Sequence, residues 1–530
     1  MKQALHIFAK DARHFWPEIS ISVVITAVFA WIYPNYWKAQ IDPSAMEIRN
    51  LQQLASLILL LVPLSWWVLI TRVVHGETLV GDKQWWVTKP YAWPQLLGAK
   101  LMFVAAFVLL PLFVAQCVLL EEGGFRWFEY LPGLGFNLVL AAGIVLLPLL
   151  ALATVTSGFG KLVLTLLGLL AAFIVLLVIA ARVGLDSFSP YGDRLSLPIV
   201  LVFSGAAILL QYARRMALQS RLLLVSAVVL LTVAGTLCSA PGLVAMAYPV
   251  HSGSRQYQVA YDKTTRYSPP DPTNSRHVMF TIPLAVSGIA DGDAIGVNAV
   301  RVTFESADGQ RWASSWEPMF NIFLRGDAIN GTKTGLPIHT DRRFFEHAQK
   351  QAMNVHLELA ITELKAGEDR TFVLRRGEFE VPDVGICAPM RTSDGFRTAG
   401  ITCRSPMREP KFTYVSVRWA DSHCTPGAEE MRTPGWTGQT LGNLSAAPAD
   451  FGITSVWSSP VWMNNGMDEE RDGKIVHIQG VLCTGTPIHF THYVAVGHTQ
   501  VDATLADYHL PPFQSQDSGD GATMGIGVMQ

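Results

Sequence analysis

LMFVAAFVLLPLFVAQCVLL, residues 101–120, carries no charged side chain. Its length matches the roughly 20 residues a helix needs to cross about 30 Å of hydrocarbon. Six other apolar runs surround it, at 19–37, 54–71, 131–154, 162–181, 197–211 and 222–248. The run at 197–211 is the shortest of them, and a buried helix or a re-entrant segment competes there with a full crossing. Beyond 248 the composition changes. Residues 1–248 hold 16 Lys+Arg and 11 Asp+Glu, a net of +5, whereas the rest of the 530-residue chain holds 24 and 31, a net of −7. Half of the chain is hydrophobic, 15% is charged and the mean hydropathy is +0.29, which excludes a disordered, collagen-like or small disulfide-scaffold protein. The near-neutral total gives no support to nucleic-acid binding.

Seven runs place the two ends of the membrane domain on opposite faces. With the N-terminus inside, the inner segments hold eleven Lys and Arg and the short outer loops five. The positive-inside rule therefore predicts a multi-pass protein of the plasma (inner) membrane, with a cytoplasmic N-terminus and an extracytoplasmic C-terminal half. The first run is not closed by a small-residue cleavage site, so it reads as a retained span. In residues 1–17, Leu5, Phe8, Ala9, Ala12, Phe15 and Trp16 recur at three- and four-residue steps among basic residues, and Pro17 ends the pattern. This predicts an amphipathic helix in the inner interface. The runs as drawn contain no Asp, Glu, Lys or Arg, and little polarity beyond Gln116, Asn137 and Gln211. An ion-driven pump keeps such groups at the midplane, so any transport by this chain would draw its free energy from a partner. Pro63, Pro111 and Pro148 lie within the second, third and fourth runs, where a missing N–H allows a kink.

The longest inner loop, 72–100, reads RVVHGETLVGDKQWWVTKPYAWPQLLGAK. Gly76 to Gly81 has the glycine spacing of a phosphate-binding loop, but Asp82 stands where that loop needs lysine, so nucleotide binding by this chain is rejected. Gly160-Lys161 fails as well, with Val155 and Leu162 at the positions of the first glycine and the hydroxyl residue. An interfacial N-terminal helix, a long second span and an inner loop form a recognisable set. The loop carries an acidic residue and Gly81, then Trp85-Trp86-Val87-Thr88-Lys89-Pro90, then Leu96-Leu97-Gly98-Ala99-Lys100 opening the third span. Over about residues 1–220 this set resembles the permease subunits of ABC-2 type transporters, whose ATPase is a separate chain. The resemblance implies that the loop docks on the ATPase and passes its closure to the helices. Glu77, Gly81, Asp82, Trp85, Trp86 and Lys89 are then the contact residues, and the permeases pair as homo- or heterodimers. A belt of tryptophans at the headgroup level is the competing reading of Trp85, Trp86 and Trp93. The seventh run and the large outer half depart from the usual six-span permease.

Residues 249–512 change period. Val300 to Glu305 and Val355 to Thr362 alternate apolar with mostly polar side chains, and similar runs recur near 256–262, 277–286, 371–381, 411–420, 453–458, 474–482 and 487–497. Turn signals fall between them, at 365–369 and at Asn464-Asn465-Gly466, and one short helix is expected near 342–353. The expected fold is thus a polytopic α-helical membrane domain, 18–248, followed by an antiparallel all-β domain of one or two sandwiches. A loose tail, 513–530, ends the chain. Cys387, Cys403, Cys424 and Cys483 all lie in the outer half and fit two disulfides in an oxidising compartment, with Cys387–Cys403 the more local pair. Two other pairings, and four free thiols, stay open.

Motifs for chemistry are sparse. Cys483, His489 and His492 make a poor zinc set, because positions 489 and 492 of one strand point to opposite faces. Asp291-Gly292-Asp293 begins like a calcium loop, but Ile295 and Val302 stand where oxygen ligands belong. No catalytic, metal or cofactor site is expected, and ATP hydrolysis is assigned to a partner. Two functions follow: an ABC-type export permease, or a membrane-anchored sensor whose outer β domain is a receptor. A polytopic enzyme is a third reading without a recognisable site.

Overall fold

A computed structural model of the chain describes residues 2–41, 46–77, 92–183, 192–237, 257–262, 277–314, 316–325, 333–349, 351–374, 377–381, 385–391, 397–406, 413–419, 438–443, 453–462, 467–471, 474–478, 482–483, 485 and 487–511. The first half is helical: α1 Lys2–His14, α2 Trp16–Ile41, α3 Met46–His75, α4 Trp93–Val104, α5 Leu110–Glu122, α6 Leu131–Leu140, α7 Leu147–Val155, α8 Phe159–Val183, α9 Gly192–Arg214 and α10 Ala217–Leu237. Five stretches among the described residues are long and apolar enough to cross a membrane: Trp16–Asn35, Gln53–His75, Trp93–Glu122, Trp127–Val155 and Leu197–Arg214. The short run at 197–211 is therefore one of the five. Five of the seven expected spans are thus matched among the described residues; within α8 and α10 the apolar stretches described are Phe159–Ala172 and Ala217–Thr232.

The third and fourth spans are each built from two α-helices joined by a π-helical turn, Ala105–Leu109 and Ala141–Leu146. Their sequences are nearly the same, AAFVLLP from 105 and AAGIVLLP from 141. Pro111 and Pro148 follow at the second position of the next α-helix, so a residue without an N–H sits where the widened turn has already shifted the hydrogen bonds. The proline kinks expected from the sequence thus take a specific form in these two spans. The third span stops at a Schellman turn, in which Phe125 N–H donates to Leu120 O at 2.8 Å and Gly124 adopts φ 87°. The chain then reverses through the 3₁₀ turn Trp127–Tyr130 into the fourth span.

Helix α1 ends at His14 and divides the expected apolar set between two faces. Ile7, Asp11 and Phe15 are buried with Ala4 and Phe8 packed beside them, while Leu5 and Trp16 stay exposed. The step of three and four was legible in the sequence; the aspartate on the inward face was not.

The second half is antiparallel β structure. By compactness the chain forms two units, Met1–Val244 with Leu364–Gly497, and Ala245–Glu363 with His498–Gln530. The expected domains 18–248 and 249–512 divide the chain in sequence; these units divide it in space. In the second unit, a sheet of Gln258–Tyr261, His277–Ser287 and Lys333–Asp341 shares one apolar core with Ala294–Ser306 and the start of Ala352–Val373. Helix α11, Arg342–Ala348, is held by Asp341, whose carboxylate accepts from the Arg343 and Phe344 N–H groups. In the first unit, Phe379–Val381, Gly385–Arg391, Arg397–Pro406 and Val456–Trp462 form one sheet, and Thr413–Trp419 pairs with Gly438–Asn443 and with residues 488–494. The turn expected at 365–369 is instead the interior of the long strand Ala352–Val373. Its polar side chains find partners across the sheet, Thr491 donating to Asp369 at 3.2 Å, so tertiary pairing overrides the local turn chemistry. Asn464-Asn465-Gly466 lies outside the described residues.

Candidate functional site: a buried charge cluster and a polar clasp at opposite helix ends

At one end of the helices four charges meet out of water. Lys100 Nζ donates to Asp11 Oδ2 at 2.8 Å and to the Val73 carbonyl at 2.9 Å, and lies 3.3 Å from Glu77 Oε2. Lys10 Nζ donates to Glu77 Oε1 at 2.6 Å and lies 3.5 Å from Asp11. Asp11, Glu77 and Lys100 are at most 3% exposed, whereas the Lys10 side chain is 40% exposed and carries its ammonium in along an apolar stem. Moving a charge from water into a protein interior costs several kcal/mol even after relaxation, so such a set persists only if every member is paired. Two acids and two bases satisfy that condition with no net charge. Val73 O is one of the four last carbonyls of α3, which have no acceptor duty inside the helix, and Lys100 supplies the missing donor. Burial works against the Glu77 carboxylate, but Lys100 and Lys10 together hold its pKa below the ordinary 4.5.

The cluster joins α1, the end of α3 and the start of α4. Lys100 lies inside the span helix Trp93–Glu122. The apolar run read from the sequence begins one residue later, which is why the spans looked free of ions. Nearby, His75 Nε2 bonds Ala153 O at 3.0 Å and Thr156 Oγ1 at 3.1 Å, and the Arg221 guanidinium donates to Val155 O at 3.1 and 3.2 Å. Both groups cap the last turn of α7, so the fourth span is fastened at this same end to α3 and α10.

At the other end the helices hold a strand-forming segment. Gln116 Nε2 donates to Ile453 O at 3.3 Å, Asn137 Nδ2 donates to Thr454 O at 2.9 Å, and Ser455 Oγ donates to Gln116 O at 2.7 Å. Gln116, Asn137, Thr454 and Ser455 are all buried. Ile453 and Val456 join the apolar core that contains Leu119 and Phe125. Two of the three polar side chains noted in the apolar runs therefore serve main-chain groups of a segment more than 300 positions away in the chain. The strand expected at 453–458 begins only at Val456, because its first three residues make this clasp instead. Beside it, Arg404 lies 5.9 Å above the Trp37 ring and pairs with Glu378.

Of the contact residues inferred for the inner loop, Glu77 belongs to the charge cluster; Gly81, Asp82, Trp85, Trp86 and Lys89 lie outside the described residues. Cys387 and Cys403 are bonded, S–S 2.10 Å, across directly opposed positions of Gly385–Arg391 and Arg397–Pro406. Cys424 and the Cys483 side chain lie outside the described residues. Sequence reasoning missed Asp11 and Lys100; the signal for Asp11 was an acid four residues from Ile7 and from Phe15, on the stripe that turns inward.

In the second unit Ser306, Asp308 and His347 come together, with His347 Nε2 2.8 Å from Asp308 Oδ2. The imidazole faces the Asp308 carboxylate, while the Ser306 hydroxyl donates to the Gln351 side-chain oxygen. The histidine therefore has no hydroxyl to deprotonate, and the grouping lacks the order of a nucleophilic triad. His347, with the Gln310 N–H and the Gln351 amide, holds the Asp308 carboxyl well below the usual carboxylate range. Among the described residues no three His, Cys, Asp or Glu side chains are grouped to hold a metal ion. Compared with protein-family models and with curated proteins, the chain matches none.

Proposed function

We propose that the chain is the membrane permease subunit of an ABC-type exporter, driven by a separate ATPase docked on the cytoplasmic loop between α3 and α4. The observation that carries this reading is the charge cluster. Glu77 and Lys100 flank that loop, and both are locked, with Asp11, into the helix interior. A push on the loop would therefore reach α1, α3 and the third span directly. Orientation is supported by chemistry at the two helix ends. Lys10, His75, Lys100 and Arg221 gather at one, while the disulfide-bearing sheet adjoins the other, as expected for a cytoplasmic face opposite an oxidising compartment. The subunit works in the plasma (inner) membrane as a homo- or heterodimer, with the strand-rich region outside. Affinity purification of the tagged full chain from its native membrane tests the reading: an ATP-binding subunit should co-purify, and its absence under mild solubilisation counts against the exporter.

The clasp favours a second reading, a membrane-anchored sensor. Gln116 and Asn137 tie the strand region to the third and fourth spans, the two that carry π-helical turns, a route by which an external ligand could move helices. Recovery of a signalling protein instead of an ATPase would select it.

A further inference from the structure

Between α2 and α5 lies an open groove of about 750 Å³ that neither the cluster nor the clasp uses. The groove is open because Ala27, Ala30 and Ala115 leave room where larger side chains would fill it, and its rims are Trp31, Val114 and Val118. Trp31 is 77% exposed and Val114 52%, so the groove opens sideways, toward the surface that in a spanning helix faces lipid. Its extent is informative. From Val23 to Asn35 on one wall, and from Leu110 to Glu122 on the other, twelve residues at 1.5 Å rise give about 18 Å. One leaflet of hydrocarbon is about 15 Å, half of the bilayer core. The two walls end together at Asn35 and Glu122, which are also the last residues of their candidate spans. An apolar trough one leaflet deep thus ends, at interface height, in an amide and a carboxylate. Among the described residues neither side chain has a hydrogen-bonding or ionic partner, and Glu122 is exposed.

We propose that this groove is a binding site for a membrane lipid whose headgroup carries a primary amine. The acyl chain lies along Ala27, Ala30 and Ala115, and the ammonium pairs with Glu122 while Asn35 hydrogen-bonds the adjoining polar groups. The chemistry selects the headgroup: a carboxylate attracts an ammonium and repels a headgroup whose only charge is a phosphate. A second copy of this chain is the competing occupant, and the Val118→Cys variant distinguishes it. The lipid occupies the leaflet on the side of the clasp, because Glu122 immediately precedes the Schellman turn that adjoins it. The proposal rests on the membrane-spanning part of the functional reading and is independent of the ATPase.

The test uses the full chain, without any partner, in nanodiscs of equal phosphatidylethanolamine and phosphatidylglycerol with matched acyl chains. Lipids retained after transfer to detergent are counted by native mass spectrometry, and a diazirine on the acyl chain maps the contact. We expect phosphatidylethanolamine to be retained at least fivefold over phosphatidylglycerol, with crosslinks on peptides containing Trp31 and Val114. Glu122→Gln, an isosteric change at an exposed position, should abolish the headgroup preference and leave the crosslinks in place. Ala30→Trp, which fills the trough, should remove the crosslinks while the protein elutes and melts as before. Equal retention of the two lipids by the wild type, or a preference that survives Glu122→Gln, overturns the headgroup assignment. Should Ala30→Trp itself misfold, Ala115→Leu fills the opposite wall, and crosslinks unchanged in a folded filled variant overturn the site. A Val118→Cys chain that forms disulfide dimers in place of lipid crosslinks assigns the groove to a second copy. Failure to find an ATPase changes none of these outcomes.

Discussion

Replacing Lys100 by methionine isolates the cost of the charge cluster. The side chain keeps its length and apolar stem, but two hydrogen bonds disappear, to Asp11 at 2.8 Å and to Val73 O at 2.9 Å, together with the 3.3 Å ion pair with Glu77. Two carboxylates, 3% and 2% exposed, are left with the half-exposed Lys10 as their one cation within the cluster. Breaking a buried pair from one side costs about 3–5 kcal/mol, a large part of a typical total of about 5–15 kcal/mol. Adding Asp11→Asn restores neutrality, because Lys10 and Glu77 then pair one to one. The double variant should recover about 2 kcal/mol of the loss, a coupling in the range found for residues that share one network. The remainder is Val73 O, which has lost its donor, at about 1–3 kcal/mol. Urea unfolding of the detergent-solubilised full chain, followed by tryptophan fluorescence, gives both differences if the slope is unchanged among variants. A Lys100→Met chain within about 0.5 kcal/mol of wild type, or losses that simply add in the double variant, would refute the idea that the cluster is a mutually dependent unit.

Four further outcomes follow from the same geometry. Glu77, held below its ordinary 4.5, contributes stability that is complete above that pH and is lost as pH falls through its lower folded value, so Glu77→Gln should flatten the acid limb of a pH–stability profile. Asn137→Leu removes the amide that donates to the buried Thr454 carbonyl, at a cost of about 1–3 kcal/mol, and hydrogen exchange should report faster opening confined to the neighbourhood of residues 453–456. Opening the Cys387–Cys403 bridge, whose cysteines are 16 positions apart, should cost about 3 kcal/mol by chain entropy, and peptide mapping without reductant should recover the two cysteines linked. If the inner loop docks on an ATPase, Trp85→Ala with Trp86→Ala should cost that contact about 2 kcal/mol or more and release the partner from a protein that still inserts, whereas a belt role predicts a retained partner and a less stable chain.

Local composition was enough to specify part of this protein. A charge-free run of twenty residues has few stable forms, since its backbone groups must bond to one another wherever water is excluded, and the helices at Trp93–Glu122 and Trp127–Val155 follow from that alone. Alternation over Val355 to Ile361 likewise dictates a strand, because period two puts Val355, Leu357, Leu359 and Ile361 on one face, and all four are buried. Pairing was less legible. Asp11 and Lys100 are 89 positions apart, and each looks like an ordinary interfacial charge until the α1 stripe and the start of α4 meet. Gln116 and Asn137 were visible as polar exceptions, yet nothing near them in the chain pointed to residues 453–455. The turn signal at 365–369 gave way to strand for the same reason. A local preference is worth about 1 kcal/mol per residue or less, whereas a buried ion or amide left unpaired costs several. Element type is thus decided by short-range periodicity, and the partners of buried polar groups are decided by whichever distant segment the fold brings within hydrogen-bonding reach.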